Sequence, residues 1–427
     1  MITYRKAEEY ILSVPKFTCK NTREDTLEFY RFLGNPGSKS RIFHVAGTNG
    51  KGSVCAYINA VLIKEGISVG LFTSPHLITI KERIRFRGKE IGEDEFTHCF
   101  EQLMEALAAF RTEHEKSSYH PTFFEILFFM AMLYFEERTP QVIILETGMG
   151  GRLDATNVVA GEKICVITEI GYDHMEYLGN TIEEIAEEKA GIIQSGCKVI
   201  YSTKRQEAAR VIEKKGEETG VLCINVTKPE NPVFSFVDKT IDFSFRSRYY
   251  GYIPICINTV APYQIENAML ALRALEESDF RISQQALQSG MRECFWPGRM
   301  EEILPGVYLD GAHNEDGIEA FLTAVRRDQC KTKRWLLFSA VADKDFIKMK
   351  EMLMSSGLFK NVYAACLRNI RGVKKHQLEA IFLGEKVRIV DSAKEGLQEI
   401  LRKRQLGDIV YIAGSLYLAG EVKEIVE

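Results

Sequence analysis

Short apolar runs alternate with amphipathic stretches along most of the chain. Residues 42–45 form an apolar run rich in β-branched and aromatic side chains, which predicts a buried strand. After Ser53 the apolar positions fall at Val54, Ile58, Val61 and Leu62, one face of a helix. Buried-type strands are predicted again at 68–72, 142–145 and 164–167, with helices over 96–114 and 121–137. Thr181 with Glu184 is a capping-box pair, and the helix it opens carries Ile182, Ile185, Ala186 and Ile193 on one face, with Lys189 among them. Residues 1–40 predict one or two helices closed by the turn Gly34-Asn35-Pro36-Gly37-Ser38. The stretch 198–260 is less regular; 233–236 and 241–245 alternate and predict a hairpin around Asp238-Lys239. A helix over 264–276 follows Pro262.

Near Trp296-Pro297-Gly298 the pattern restarts, with strand candidates at 307–309, 335–338, 362–365, 387–390 and 409–413, most of them separated by helical patterns. No internal repeat or low-complexity segment is present. The expected fold class is α/β, with a mainly parallel sheet in a domain over 1–297 and a smaller α/β domain over 298–427.

Composition narrows the functional classes. Apolar and charged fractions of 45% and 27% are those of an ordinary globular protein. The net charge of −4 is spread evenly, which argues against a nucleic-acid or membrane-surface partner. The ten cysteines form no CxxC pair and no zinc-type spacing, as expected of a reducing cytosol. The segment MITYRKAEEYILSV is charged and amphipathic rather than a secretion signal, and no apolar run approaches the ~20 residues of a membrane span. A soluble cytoplasmic protein is the expectation.

The turn after the first strand carries the clearest chemistry. Gly47, Asn49, Gly50 and Gly52 lie between strand and helix, so backbone N–H groups and the helix dipole converge on one point, as a triphosphate requires. Lys51 can reach terminal phosphates and Ser53 can place a hydroxyl on Mg²⁺. The stretch departs from the common P-loop pattern in two places. Val45 stands where the first glycine is usual, and Gly52 separates Lys51 from Ser53.

Other strand ends add polar groups where ligands gather in open α/β sheets. These are Ser74, in Thr73-Ser74-Pro75-His76-Leu77, Glu146, before a glycine-rich turn, and His174. Glu146 is the best single Mg²⁺ candidate, and His174 by its chemistry is as readily a structural residue. Lys81, Arg83, Arg85 and Arg87 alternate, as if on one face of a strand. Glu125 sits among phenylalanines at a helix start, where it serves either the dipole or a substrate. Lys189 either snorkels to water or is held dry as a reactive amine. Arg299 and Asp310, in the second domain, are placed to meet phosphates and ribose or to act as surface ions. Two classes remain open on these grounds: an enzyme that uses ATP in an interdomain cleft, which the polar strand ends favour, and a nucleotide-gated binding module.

Taken together, HVAGTNGKGS, TSPHL, TFFE, ETGMGGRLDATNVV, DH followed by EKAGII, WPGRME and DGAHN identify a family. The chain resembles the folylpolyglutamate synthases, including the bifunctional dihydrofolate synthases, within the Mur ligase superfamily, over nearly its whole length. The resemblance implies a P-loop-type ATPase domain, a Rossmann-like glutamate-ligase domain and an ATP-dependent amide ligase. A folate γ-carboxylate takes the γ-phosphoryl of ATP, and the amine of L-glutamate displaces phosphate. It implies two Mg²⁺ ions, with Ser53, Ser74, Glu146, His174 and a carbamylated Lys189 as metal residues. Nucleotide contacts carried over are Asn49, Gly50, Lys51, Gly52, Ser53, Asn267, Arg299 and Asp310. Thr122, Phe124, Glu125, Arg152, Leu153 and Asp154 match positions around the pterin, and His313 and Ser415 match the glutamate site. Lys51, Lys189, His174 and Glu146 are the implied catalytic group. The partners are small molecules only (folate or pterin, L-glutamate and ATP), and a monomer is expected. Lys81 stands where many members have Asn, Thr147 where Val is usual, and 229–260 departs most.

Overall fold

The computed structural model describes residues 2–15, 21–114, 116, 118–226, 234–341, 345–369 and 371–427. Eight strands form the first sheet: β1 (Arg41–Ala46), β2 (Val69–Phe72), β3 (Ile84–Phe86), β4 (Lys89–Glu90), β5 (Val142–Glu146), β6 (Lys163–Ile167), β7 (Lys198–Tyr201) and β8 (Cys223–Asn225). Their order is β4-β3-β2-β5-β1-β6-β7-β8, antiparallel only where β3 meets β2 and β4. β1 lies between β5 and β6, with Val45 opposite Glu146 and Ala46 opposite Ile167.

The continuous apolar runs of β1, β5 and β6 arise because helices cover both faces. Phe43, Val45 and Ile144 point to one side, against the helices Lys51–Lys64, Gln264–Glu277 and Gln284–Glu293. Ile42, Ile143 and Leu145 point to the other, against Glu93–Glu113 and Phe123–Arg138, whose phenylalanines fill that layer.

A three-stranded sheet, β9 (Phe234–Val237), β10 (Thr240–Ser247) and β11 (Gly251–Ile257), packs onto the first layer through Ile241, Phe243, Phe245, Ile253 and Ile255. The predicted hairpin is present from Phe234 onward, turning at Asp238 with φ 53°; Val233 lies outside the described residues. The third strand is an addition to the sequence reading.

The last sheet contains β12 (Glu301–Leu304), β13 (Val307–Leu309), β14 (Arg334–Phe338), β15 (Asn361–Ala365), β16 (Val387–Val390) and β17 (Ile409–Ala413), ordered β12-β13-β17-β14-β15-β16. Only β12 runs antiparallel to its neighbour. Leu336 and Phe338 face one helical layer, and Trp335 and Leu337 face the other. Among the described residues no helix is long and apolar enough to cross a membrane.

The four alternating cations do not share a strand face. Lys81 and Arg83 belong to a single 3₁₀ turn, Ile80–Arg83; Arg85 is on β3, and Arg87 takes a left-handed φ of 49° just past it. β3 is too short to carry the alternation. Arg83 is buried, donates from Nε to His76 Nδ1 at 2.8 Å and lies over the Phe123 ring.

Candidate active site

The turn after β1 requires glycine at two positions. At Gly47 (φ 147°) a Cβ would lie 1.8 Å from Thr168 Oγ1, and at Gly50 (φ 93°) it would lie 2.4 Å from Asn267 Oδ1. A left-handed φ and a filled space together exclude larger residues. Gly50 caps the helix Lys51–Lys64, so the first-turn N–H groups have no intrahelical acceptor. Thr48 fastens the loop to the exit of β6: its Oγ1 donates to Gly171 O and accepts from Gly171 N, both at 3.0 Å. Lys51 Nζ bends back to Gly47 O (3.1 Å) and Thr48 O (3.3 Å), while Lys189 Nζ, buried, reaches Gly47 O at 2.8 Å. Ser53 is buried, with its Oγ accepting from Gln264 Nε2 at 3.1 Å; Asn267 donates in turn to Gln264 Oε1.

Glu146 ends β5 and is 3% exposed, accepting from Ser74 N at 3.0 Å. Burial pushes its carboxyl up; Lys51, the Ser74 amide, Arg299 and Arg83 oppose that shift. Ser74, Glu146 and Arg299 line one cleft with Gly52, Arg85 and Trp296. A buried carboxylate met by one amide suits a hard cation that keeps waters and phosphate oxygens as its other ligands, and the surrounding cations suit those phosphate oxygens. Asp310, at the end of β13, accepts from Tyr263 Oη (2.7 Å), Met300 N (2.9 Å) and Ala312 N (2.8 Å), so both its oxygens are engaged within the protein. Burial raises its carboxyl, and Arg299 opposes this most strongly.

A second cavity, of about 280 Å³, opens between the two large sheets; Asp173, His174, His313, Asn314 and Arg371 are among its walls. Asp173 Oδ2 lies 3.7 Å from His313 Nε2 and 3.9 Å from His174 Nε2. His313 Nδ1 is 2.8 Å from Gly311 O, and Arg371 Nη1 donates to Tyr417 Oη at 3.2 Å. Ser415, 2% exposed, caps the helix Leu416–Val426 by accepting from Tyr417 N. Asn49 and Asn314 exchange two amide hydrogen bonds of 3.2 Å, and Asn314 also donates to Asp173 Oδ2 at 3.3 Å. Thus Ser74 and Glu146 share one cleft, whereas His174 lines the other cavity. Among the described residues no three His, Cys, Asp or Glu side chains cluster as a metal site.

The remaining candidates gather around the loop after β5. Phe124 lies on Gly148, where a Cβ would be 2.7 Å from its ring. Asp154 shapes that loop by accepting from Gly148 N (2.9 Å), Met149 N (3.1 Å) and Thr156 N (3.0 Å). Arg152 pairs with Glu188 at 2.6 Å, and Leu153 is 47% exposed. Thr122 caps its helix, and Glu125 accepts from Thr122 N (2.7 Å), Asn21 Nδ2 (2.9 Å) and Thr26 Oγ1 (2.8 Å). Asn21, Thr26, Tyr263 and Gln264 are partners that the sequence pattern did not single out, and Asp173 and Asn314 stood in the motifs DH and DGAHN without a role of their own.

Residues 45–275 match the Mur ligase middle domain, and residues 298–416 match the Mur ligase glutamate ligase domain. A dihydrofolate synthase/folylpolyglutamate synthase of Bacillus subtilis is 36% identical over 99% of this chain and 98% of its own length. The chain belongs to this family. As a member of the folylpolyglutamate/dihydrofolate synthase family it is an ATP-dependent glutamate ligase of the Mur type. A folylpolyglutamate synthase of Lacticaseibacillus casei is 30% identical over 99% of this chain and 98% of the relative. A solved FPGS–AMPPCP–folate complex superposes with a TM-score of 0.87 at 28% identity, covering the whole of both chains. An E. coli FolC structure in complex with DHPP and ADP gives 0.86 at 28% identity, over 100% of this chain and 98% of the other.

Proposed function

We propose that this ligase joins L-glutamate to the γ-carboxylate of a reduced folate by way of an acyl phosphate, with residues 1–297 binding ATP and residues 298–427 bringing the amino acid. The observation that carries the reading is the placement of Arg299, which follows the interdomain linker, in the same cleft as Ser74 and Glu146. Phosphoryl transfer needs mainly positioning and charge neutralisation. Lys51 and the first-turn N–H groups would hold the triphosphate, with Asn49, Gly50, Gly52, Ser53 and Asn267 shaping the loop. Arg299 would meet the transferred group from the other side, and Asp310 would hold the strand end from which Arg299 reaches. Glu146 and the Ser74 hydroxyl would hold one Mg²⁺ against the phosphates, and His174 with a carbamylated Lys189 a second. Bound there, Mg²⁺ supplies charge neutralisation to the phosphates and the developing acyl phosphate. The pterin would lie by Phe124 and the Gly148–Asp154 loop, with Thr122, Glu125, Arg152 and Leu153 around it. Glutamate would enter the cavity walled by His313 and Asp173, near Ser415. Closing that cavity keeps water from the acyl phosphate.

Relatives in Bacillus subtilis and Escherichia coli carry both synthase names, which supports dihydropteroate as an additional acceptor. Phosphate release from ATP with Mg²⁺ and glutamate tests the choice. Release with tetrahydrofolate alone indicates a dedicated folylpolyglutamate synthase, and release with dihydropteroate as well indicates the bifunctional type. Release with neither overturns the reading.

A further inference from the structure

In phosphate loops ending Gly-Lys-Ser/Thr, the residue after the lysine carries a hydroxyl that faces the metal beside the terminal phosphates. Here that residue is Gly52, which has no side chain to offer. The space is already taken. A Cβ at Gly52 would lie 2.8 Å from Trp296 Nε1 and 3.0 Å from Cε2 and Cζ2 of the same ring. The indole N–H therefore stands where the side chain of position 52 would begin.

The indole is held there from several sides. The Arg85 guanidinium lies 5.8 Å from its ring centroid. Beyond Pro297 the chain turns at Gly298 (φ 69°), whose N–H donates to Glu301 Oε2 at 2.7 Å and whose carbonyl accepts from Gly311 N at 2.8 Å. Trp296 lines the cleft of Ser74, Glu146 and Arg299. An indole N–H donates and cannot accept, so it is unsuited to a cation and suited to a phosphate oxygen. Trp335 differs: its Nε1 donates to Asp408 Oδ2 at 2.9 Å inside the last sheet's core.

We propose that Trp296 is a phosphate-positioning residue whose indole N–H, admitted by glycine at position 52, donates to an oxygen of the nucleotide's terminal phosphate. It stands at the position where the loop hydroxyl after the lysine is usual, while the Ser53 hydroxyl, one residue on, is held by Gln264 Nε2 at 3.1 Å; the metal is left to Glu146 and Ser74. The proposal rests on the reading of the loop as a triphosphate site.

The full chain labelled with ¹⁵N at the indoles gives two side-chain resonances, one from each tryptophan. Trp296→Phe assigns them, and Trp335→Phe does so equally if the first variant fails to fold. With Mg²⁺ and AMPPCP the Trp296 N–H resonance should move downfield; with ADP, which lacks the terminal phosphate, it should move far less, and Trp335 should stay. By calorimetry Trp296→Phe should weaken AMPPCP about tenfold, the scale of one hydrogen bond to a charged group, and ADP less than twofold. Equal responses to the two nucleotides, or an unmoved resonance despite AMPPCP binding, overturn the role of Trp296. Binding of neither nucleotide to the wild type overturns the triphosphate site itself.

Discussion

Lys51 and Lys189 donate to one and the same oxygen, the carbonyl of Gly47, at 3.1 and 2.8 Å. Two ammonium groups on a single acceptor repel each other, and an anion placed between them relieves that repulsion. A triphosphate on Lys51 is one such anion; a carbamate on Lys189 would end the repulsion differently, by turning one of the two cations into an anion.

Lys51→Met should lower kcat by about 10³ with every acceptor while leaving the melting temperature near that of the wild type. Lys189→Ala should lose turnover as well, and formate or acetate should restore part of it by standing in for the carbamate. Steady-state phosphate release checks both. A Lys189→Ala enzyme that stays active without added acid would make this lysine a structural residue.

Asn49 and Asn314 join the phosphate loop to the second large sheet, and Asn314 also holds Asp173. Asn314→Ala breaks this junction and leaves the Asn49 amide unpaired. The expected effect is a loss of about 1–2 kcal/mol in ATP binding, a roughly tenfold weakening by isothermal calorimetry. The cap of the helix Glu315–Val325 goes with it, since Asn314 Oδ1 accepts from Gly317 N at 2.8 Å. Asn314→Ser keeps an N-cap acceptor while losing the amide donors to Asn49 and Asp173, so it separates the two effects.

Much of this arrangement was legible in the sequence, and the gaps have physical causes. The first strand, the glycine turn and the helix after it follow from a change of period marked by residues that only a tight turn requires. β11 was missed because Pro254 interrupts it, and proline is tolerated there because β11 is an edge strand. The cations at 81–87 alternate in sequence, but a 3₁₀ turn separates two of them from the strand. Glu146 and Ser74 were visible as strand-end groups. Gln264, Tyr263 and Asn21 were not, because each meets a partner that only the folded chain brings near, and no local pattern marks such pairs. Glu125 was legible as an acid among phenylalanines at a helix start, yet its engagement by Asn21 and Thr26 depends on the segment around another helix, Arg23–Phe32.

Glu125→Ala should cost about 2–4 kcal/mol of stability, because Asn21, Thr26 and the Thr122 amide all lose their acceptor in a buried setting. Thermal unfolding measures this, and Glu125→Gln should recover part of the loss. A variant that melts like the wild type but binds pterin poorly would assign the acid to the substrate instead.

Asp408 gives the second large sheet a pH-dependent clasp. Burial raises its carboxyl, but hydrogen bonds from Gln405 N, Trp335 Nε1 and Lys333 N prevail and bring it from 3.8 to about 2. A depressed acid stabilises the fold above its unfolded value and loses that contribution as pH falls through the folded one. The stability difference between wild type and Asp408→Asn should therefore be constant near neutrality and shrink between about pH 4 and pH 2, as followed by chemical denaturation.

The position of β1 between β5 and β6 also bears on how the protein matures. The two walls of the phosphate loop, at Glu146 and at Thr168–Gly171, are synthesised only after the helices Glu93–Glu113 and Phe123–Arg138. A nascent chain that has already folded its first helices consequently still lacks a nucleotide site. Pairings between distant strands form slowly, so the phosphate loop gains its walls late and at once, when the third parallel strand closes on the other two, and the cleft is completed only afterwards, when Arg299 enters it.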